Sequence, residues 1–398
     1  MAPYCRLVAA ALALSTNVTN QKYDPFIGGI DNDTLSLVLN NMVQVSTKSW
    51  ELGTATEAML EYSYPEFSVF NSSAFPPEHT LNTTYNASEV LDVASQVVRA
   101  KSNTTMTLVE DSAVGDPASL GVSVLLANWT RTNQSDTSFS TAAGEELDYL
   151  LNYAPRSDSG AISHRSDQVQ LWSDFIYMAP PFIAYYGALA GGDSEVQLIQ
   201  TAYEQISLYR DVLRDDNGLW QHVALGSWND TTHWATGKST VNCNGWAAAG
   251  MLRVLMTMNH TAQANQFTGQ SANLTSWIGE ILSTAWEYQA DNGTLRNVID
   301  DQSTFPDSSS TALLAAVTYR MAAYNNDTSL IPKADKAFEL IKGSIDDEGW
   351  LQDTVDPYTF TTATAVDGYS PEGQAFVILL AAAWRDYIVF NSTSIDDP

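Results

Sequence analysis

"RDDNGLWQHV" (214–223) and "DDEGWLQDTV" (346–355) share Asp-x-Gly followed by an apolar residue, "RSDSGAISH" (156–164) repeats the pattern, and "ADNGTLRNV" (290–298) repeats it with Thr294 before the apolar Leu295. The four glycines, Gly160, Gly218, Gly293 and Gly349, are 58, 75 and 56 residues apart. A stretch of helical periodicity precedes each turn, and a loop of about 15–25 residues leads to the next. Glycine at these points is expected to end a helix in the left-handed conformation, where a Cβ is disfavoured.

Apolar residues recur at three- and four-residue spacing over 33–50, 87–102, 116–132, 139–154, 194–214, 244–259, 270–290, 308–325, 328–343 and 372–390. Few stretches alternate as strands do. A helical hairpin of about sixty residues cannot bury its apolar face alone, so neighbours must stack. The chain has room for about six such hairpins. Six that close on themselves form an all-α (α/α)6 toroid; an open solenoid would carry distinct end caps, which the termini lack. One such domain is expected over 21–398.

Residues 1–20 read as a secretory signal: Arg6 is followed by the apolar run LVAAALALS (7–15), too short to span a bilayer. No later segment is expected to supply the roughly 20 apolar residues of a membrane helix. Fourteen N-x-S/T sequons, from Asn17 to Asn391, point to a secreted, extracellular chain carrying N-glycans. Forty-six acids stand against 18 bases, a net charge of −28, which argues against nucleic acid and anionic membranes as partners. A monomer is expected.

Cys5 lies in the signal and leaves Cys243 alone, so no internal disulfide forms. Cys243 reads as a buried, inert thiol, with a nucleophile as the alternative. Five histidines and one cysteine show no metal-ligand spacing, so neither metal nor other cofactor is expected.

A closed ring concentrates its chemistry on one face. The loops 156–175, 216–246, 293–310 and 347–374 are expected to converge there, and they hold Trp172, Trp220, Trp228, Trp234, Trp246 and Trp350. Flat rings in an acidic cleft suit stacking on sugar faces, although core filling accounts for part of them. Within "LWSDFIYMAPPFIAYYG" (171–187) a single carboxylate, Asp174, stands among six aromatics. Burying it is expensive unless it is paired or working. Pro180-Pro181 should start or kink a helix, which puts Asp174 at the ring mouth as a helix cap or a reacting group.

The run RSDSGAISHRSDQVQLWSDFIYMAPPFIAYYG resembles the unsaturated rhamnogalacturonyl hydrolases, glycoside hydrolase family 105, which are six-hairpin glycosidases related to family 88. It matches their W-x-D-x-(L/I)-(F/Y)-M-x-x-P-F-x-A block at Trp172, Asp174, Tyr177, Met178, Pro181, Phe182 and Ala184. GLWQHV resembles a second block, and WATGKSTVNCNGWAAAGM resembles the family's W-A-R-G-N-G-W at Trp234, Asn244, Gly245 and Trp246. There Thr236 replaces the arginine and six residues are inserted before Asn244. DPASLGVSVL resembles the segment bearing a second essential aspartate, here Asp116.

The resemblance implies an oligosaccharide substrate that a lyase has left with a 4,5-unsaturated uronic acid, and hydration of its double bond. Asp174 would give a proton to C4 and then act as base toward water adding at C5. Asp116 would bond Asp174 or the water, with helix capping before Pro117 as the alternative. His222, Trp234, Trp246, Trp172, Tyr177, His164 and Asn244 would line the sugar. His222 and Trp246 read equally well as structural residues. Arg165 or Lys238 would supply the cation that Thr236 does not. Two rival readings remain. One is a retaining endo-glycosidase such as an α-1,6-mannanase using Asp215-Asp216, Asp300-Asp301 or Asp346-Asp347. The other is a catalytically silent carbohydrate-binding toroid.

Overall fold

Inner and outer helices alternate along the chain. In the computed structural model, residues 28–82, 86–235, 244–359, 361–365 and 368–395 are described. The expected signal and Thr236, Lys238 and Cys243 lie outside them. Outer α1 (Asn32–Val45) precedes inner α2 (Ser49–Tyr62), outer α3 (Ser88–Ala100), the inner pair α4 (Gly115–Ala118) and α5 (Gly121–Thr130), and outer α6 (Ser138–Asp148). Then come the inner pair α7 (Phe175–Met178) and α8 (Pro180–Ala190), outer α9 (Gly192–Leu213), inner α10 (Asn244–His260) and outer α11 (Thr268–Glu287). Inner α12 (Ser308–Asn325), outer α13 (Ile331–Gly343) and inner α14 (Pro371–Ile395) complete the set.

The inner helices pack in the order α2, α5, α8, α10, α12, α14, and α14 returns to α2 while α1 covers α14. This is the closed (α/α)6 ring. The split follows from side chains: α10 is buried all round from Asn244 to Met258 and α12 from Ser308 to Ala322. By contrast, α3 buries only Val90, Ala94 and Val97. All-round burial belongs to a core helix, a single stripe to a surface one.

Three expectations need correction. Pro371–Thr393 is long and apolar enough to cross a membrane, at mean hydropathy 1.3; its apolar surface is used on α2 and α12 inside the ring. The segment 33–50 is two helices, because the Glu51 carboxylate accepts the Thr47 and Lys48 amides at 2.7 and 2.9 Å and starts α2 afresh. The Asp-x-Gly glycines, at φ +95, +92, +104 and +82, do not cap helices. α9, α11 and α13 have already ended, and each glycine closes a tight hairpin. Gly218, for example, donates to the Asp215 carbonyl while the Asp215 amide donates to Leu219.

The repeat extends to the residue two beyond each glycine. The amides of Ile162, Trp220, Leu295 and Leu351 donate to Gln205, Asn244, Thr311 and Gln374 at 2.7–2.9 Å. A side chain from a neighbouring helix thus pins every turn, which fixes the loops that follow it.

Gly250 brings α10 against α7. A Cβ there would lie 2.2 Å from the Ile176 carbonyl oxygen, two residues past Asp174. Gly250→Ala is therefore expected to cost about 1–3 kcal/mol of stability and to lower activity by shifting α7. An unchanged melting temperature would contradict this packing.

The C-terminal halves of the inner helices meet in a buried ion network. Glu61 of α2 pairs with Arg253 of α10 and, at 3.1 Å, with Arg320 of α12; Arg320 also pairs with Asp386 of α14. Arg253 lies 4.6 Å from the Tyr177 ring centre, so that tyrosine is turned into the ring and away from its mouth.

Candidate active site

Short antiparallel bridges knit the mouth loops together. Ala113 pairs with Arg165, and the His164 amide donates to the Gln170 carbonyl at 2.8 Å. β1 (Leu171–Trp172) pairs with β2 (Val223–Ala224), Val223 with Asp230, and Trp234 with Val298. A second small ribbon joins β3 (Leu295–Arg296) to β4 (Pro306–Asp307). The first run of bridges sets Asp116, His164, Arg165, Trp172, Asp174 and His222 side by side, although they are spread over more than a hundred residues. The segment 113–116 was not among the loops expected at the mouth.

Asp174 occupies the N-cap position of α7 and Asp116 the first turn of α4, yet neither carboxyl caps its helix. Both are 2 % exposed. Burial, then the charges of Asp111 and Asp174, push the Asp116 carboxyl well above the usual range, and Arg165 opposes them. The charge of Asp174 thus works against ionisation of Asp116 and favours its protonated form. Gly115 permits the close packing of α4 on α7, since a Cβ would meet Phe175 at 3.0 Å and His164 Nδ1 at 3.3 Å.

His164 is fully buried, with Nε2 3.8 Å from Asp116 Oδ1, and neither ring nitrogen has a hydrogen-bond partner among the described residues. Burial lowers it to about 3, with Arg165 and His222 adding to the effect, so it stays neutral. Its ring stacks on Trp172 at 5.0 Å, and Trp172 in turn meets His222 and the exposed Trp228 edge-to-face. Arg165 lies 6.0 Å from the Trp172 ring centre and pairs with Asp167.

Asp230 anchors the other wall and carried no sequence signal beyond its sequon. One oxygen is 3.0 Å from His222 Nδ1 and accepts the Trp234 indole N–H at 2.8 Å. Burial works to raise this carboxyl, but the His222, Thr232 and Trp234 hydrogen bonds outweigh it and hold the group ionised. Glu372 was also missed. It is buried at the start of α14 and accepts the Trp50 indole N–H at 2.7 Å, and its charge acts on Asp116. A lone acid opening an apolar helix is the signal that had drawn attention to Asp174, and it applied here too.

Other expected residues lie elsewhere. Trp246 has no exposed surface, and its ring packs between Tyr177 and Phe376. Trp220 is likewise in the core. Asn244 uses its whole amide on backbone, accepting from Trp220 and donating to the Trp220 and Trp234 carbonyls, so it fastens loops and has no donor left for a sugar. Asp215 and Asp300 grip His233 from both sides, at 2.8 and 2.7 Å, and Asp346 accepts turn amides. The adjacent aspartate pairs therefore build loops.

Buried acids set the pH response of the fold. Burial raises Glu57 to about 7 despite Arg253, Glu146 to about 8, and, with Glu51 beside it, Glu372 to about 8. Each is protonated in the folded chain where the unfolded chain is ionised, so its contribution is complete below about 4.5 and is lost as pH rises through 7–8. The slope is about 1.4 kcal/mol per group per pH unit. Neutral His164 acts oppositely, losing stability as pH falls below about 6.5. Three groups outweigh one, so the melting temperature should fall by roughly 5–10 °C between pH 5 and 8.5. A rise across that window contradicts the assignment.

A ring of six hairpins with acids, histidines and tryptophans at one mouth defines a toroidal glycoside hydrolase. The chain belongs to glycosyl hydrolase family 88, whose family model matches residues 78–381. A search of curated proteins returned no significant match. Among solved structures, the chain is similar to a possible GH105 member from Salmonella enterica serovar Paratyphi A (17 % identity, 94 % of this chain and 98 % of that one, TM-score 0.69). It is also similar to a family 88 glycosyl hydrolase from Bacteroides vulgatus (16 %, 89 % and 99 %, TM-score 0.64). A third is the unsaturated glucuronyl hydrolase of Bacillus sp. GL1, described as responsible for glycosaminoglycan degradation (16 %, 89 % and 94 %, TM-score 0.57). These likenesses establish the fold.

Proposed function

We propose that this enzyme removes a terminal 4,5-unsaturated uronic acid from lyase-generated pectin oligosaccharides, such as the unsaturated rhamnogalacturonan disaccharide, by hydrating the double bond. The observation that carries the reading is the buried acids Asp116 and Asp174, neither of which caps its own helix, beside a buried neutral histidine whose ring nitrogens have no hydrogen-bond partner among the described residues. Asp174 gives its proton to C4 and then takes one from the water adding at C5. Asp116 keeps that proton available by opposing ionisation of the pair. The C5 hemiketal opens and releases the next sugar. Trp228 offers a ring face with Trp172 packed behind it, His164 and His222 bond hydroxyls, and Arg165 faces the uronate carboxylate.

We read the enzyme as secreted and N-glycosylated. The exposed positions of Asn32, Asn82, Asn103, Asn133, Asn273, Asn292 and Asn326 support that. The functional test incubates the purified protein with unsaturated rhamnogalacturonan disaccharide in D2O. Loss of the conjugated ultraviolet absorbance with one deuterium placed at C4 is the expected result. Persistent absorbance, or new reducing ends from intact mannan, would sink the proposal.

A further inference from the structure

Three aromatic side chains, Trp350, Tyr358 and Tyr369, stand on the loop between α13 and α14. The Tyr358 hydroxyl donates to Glu51 Oε1 at 3.2 Å, and Tyr358 is half exposed. Burial, then the charges of Glu51 and Glu372, raise that hydroxyl, with Tyr369 contributing. Glu51 follows Trp50, whose indole N–H donates to Glu372 at 2.7 Å, so Tyr358 stands near the same Glu372 that acts on Asp116. Beyond it, Trp350 and Tyr369 stack at 4.8 Å and 20°, and Tyr369 is 47 % exposed. The pair borders a cleft of about 370 Å³ that Asp346, Glu348 and Asp353 also line, with no Lys or Arg among its described lining residues. That volume falls within the range of small-ligand sites.

We infer that the substrate runs from the acid pair over Tyr358 onto the Trp350–Tyr369 platform, and that these aglycone positions select neutral sugars and disfavour uronic or sulfated ones. The inference rests on the hydrolase reading above and refines its substrate. Aromatic faces bind sugar C–H surfaces whatever the sequence of sugars, so stacking supplies affinity. The charges supply the choice. An anionic group within a Debye length of about 8 Å of three carboxylates meets uncompensated repulsion. Arg165 does not line that cleft and lies beside Trp172, where it serves the unsaturated uronate itself.

The test compares three substrates by loss of ultraviolet absorbance. They are an unsaturated disaccharide with a neutral second sugar, an unsaturated tetrasaccharide whose other three sugars are neutral, and the unsaturated rhamnogalacturonan tetrasaccharide, with galacturonate third. The neutral tetrasaccharide should exceed the rhamnogalacturonan one about tenfold in kcat/KM, and Glu348→Lys should narrow that gap. Tyr369→Ala should lower kcat/KM on the neutral tetrasaccharide about tenfold and change the disaccharide less than twofold. Equal rates on the two tetrasaccharides, or equal effects of Tyr369→Ala on short and long substrates, overturn the inference. No turnover of any substrate sinks the hydrolase reading instead. Calorimetry with the saturated neutral tetrasaccharide then decides the subsite: binding that Tyr369→Ala weakens supports it, and absent or unaltered binding overturns it.

Discussion

Asp174→Asn is expected to lower kcat on unsaturated uronyl oligosaccharides by roughly 10³–10⁴-fold, at the upper end of what one acid–base group contributes. The amide keeps the carboxyl's shape in a site where Asp174 is 2 % exposed, so packing against Phe175 and α10 is preserved. What disappears is the proton for C4 and the base for water. KM should change little, because binding by His164, Trp228 and Arg165 is untouched, and the melting temperature should hold or rise as repulsion from Asp116 is relieved. The variant thus separates chemistry from folding. Retention of a tenth or more of wild-type kcat would assign the chemistry elsewhere, and Glu372, the other buried acid acting on Asp116, would be examined next.

The largest effect on stability should come from Glu61→Ala at the other end of the ring. Glu61 meets Arg253 and Arg320 with its side chain 4 % exposed, and the two arginines are 5 % and 7 % exposed. Removing the shared carboxylate leaves two buried guanidinium groups short of their partner, which costs about 3–5 kcal/mol. A melting temperature lower by roughly 10 °C would follow. Replacing Glu61, Arg253 and Arg320 together by methionine should cost less than Glu61→Ala alone, since no charge is stranded. A loss under about 1 kcal/mol for Glu61→Ala would show that the network contributes little beyond filling space.

The two experiments probe opposite ends of the same helices. The N-terminal turns of the inner helices carry the acids that are to react, and the C-terminal halves carry paired ions that hold the ring. Tyr177 illustrates the division. Its place in the motif beside Asp174 suggested a sugar contact, but its ring lies against Arg253 and Trp246 inside the ring of helices.

Much of the site was legible because its signals were local. Asp174 was conspicuous as a charge in an apolar run, and the W-x-D block with its proline pair marked the helix start that α7 and α8 display. Trp246 and Asn244 were misjudged because a motif records which residues recur and not which way they face. Trp246 points into the core, and Asn244 is consumed by two backbone segments. Asp230 and Glu372 depend on partners 8 and 322 residues away, and no local pattern encodes such pairs.

The chain's periodicity and its four Asp-x-Gly turns determined a repeating all-helical ring, because 3.6-residue spacing and left-handed glycine are properties of adjacent residues. Which acids are buried near one another, which tryptophans are exposed and which face the core, and where Trp350 and Tyr369 stack were decided only by tertiary structure. Burial and electrostatic coupling depend on distance in space, and ring closure brings together side chains that the sequence keeps far apart.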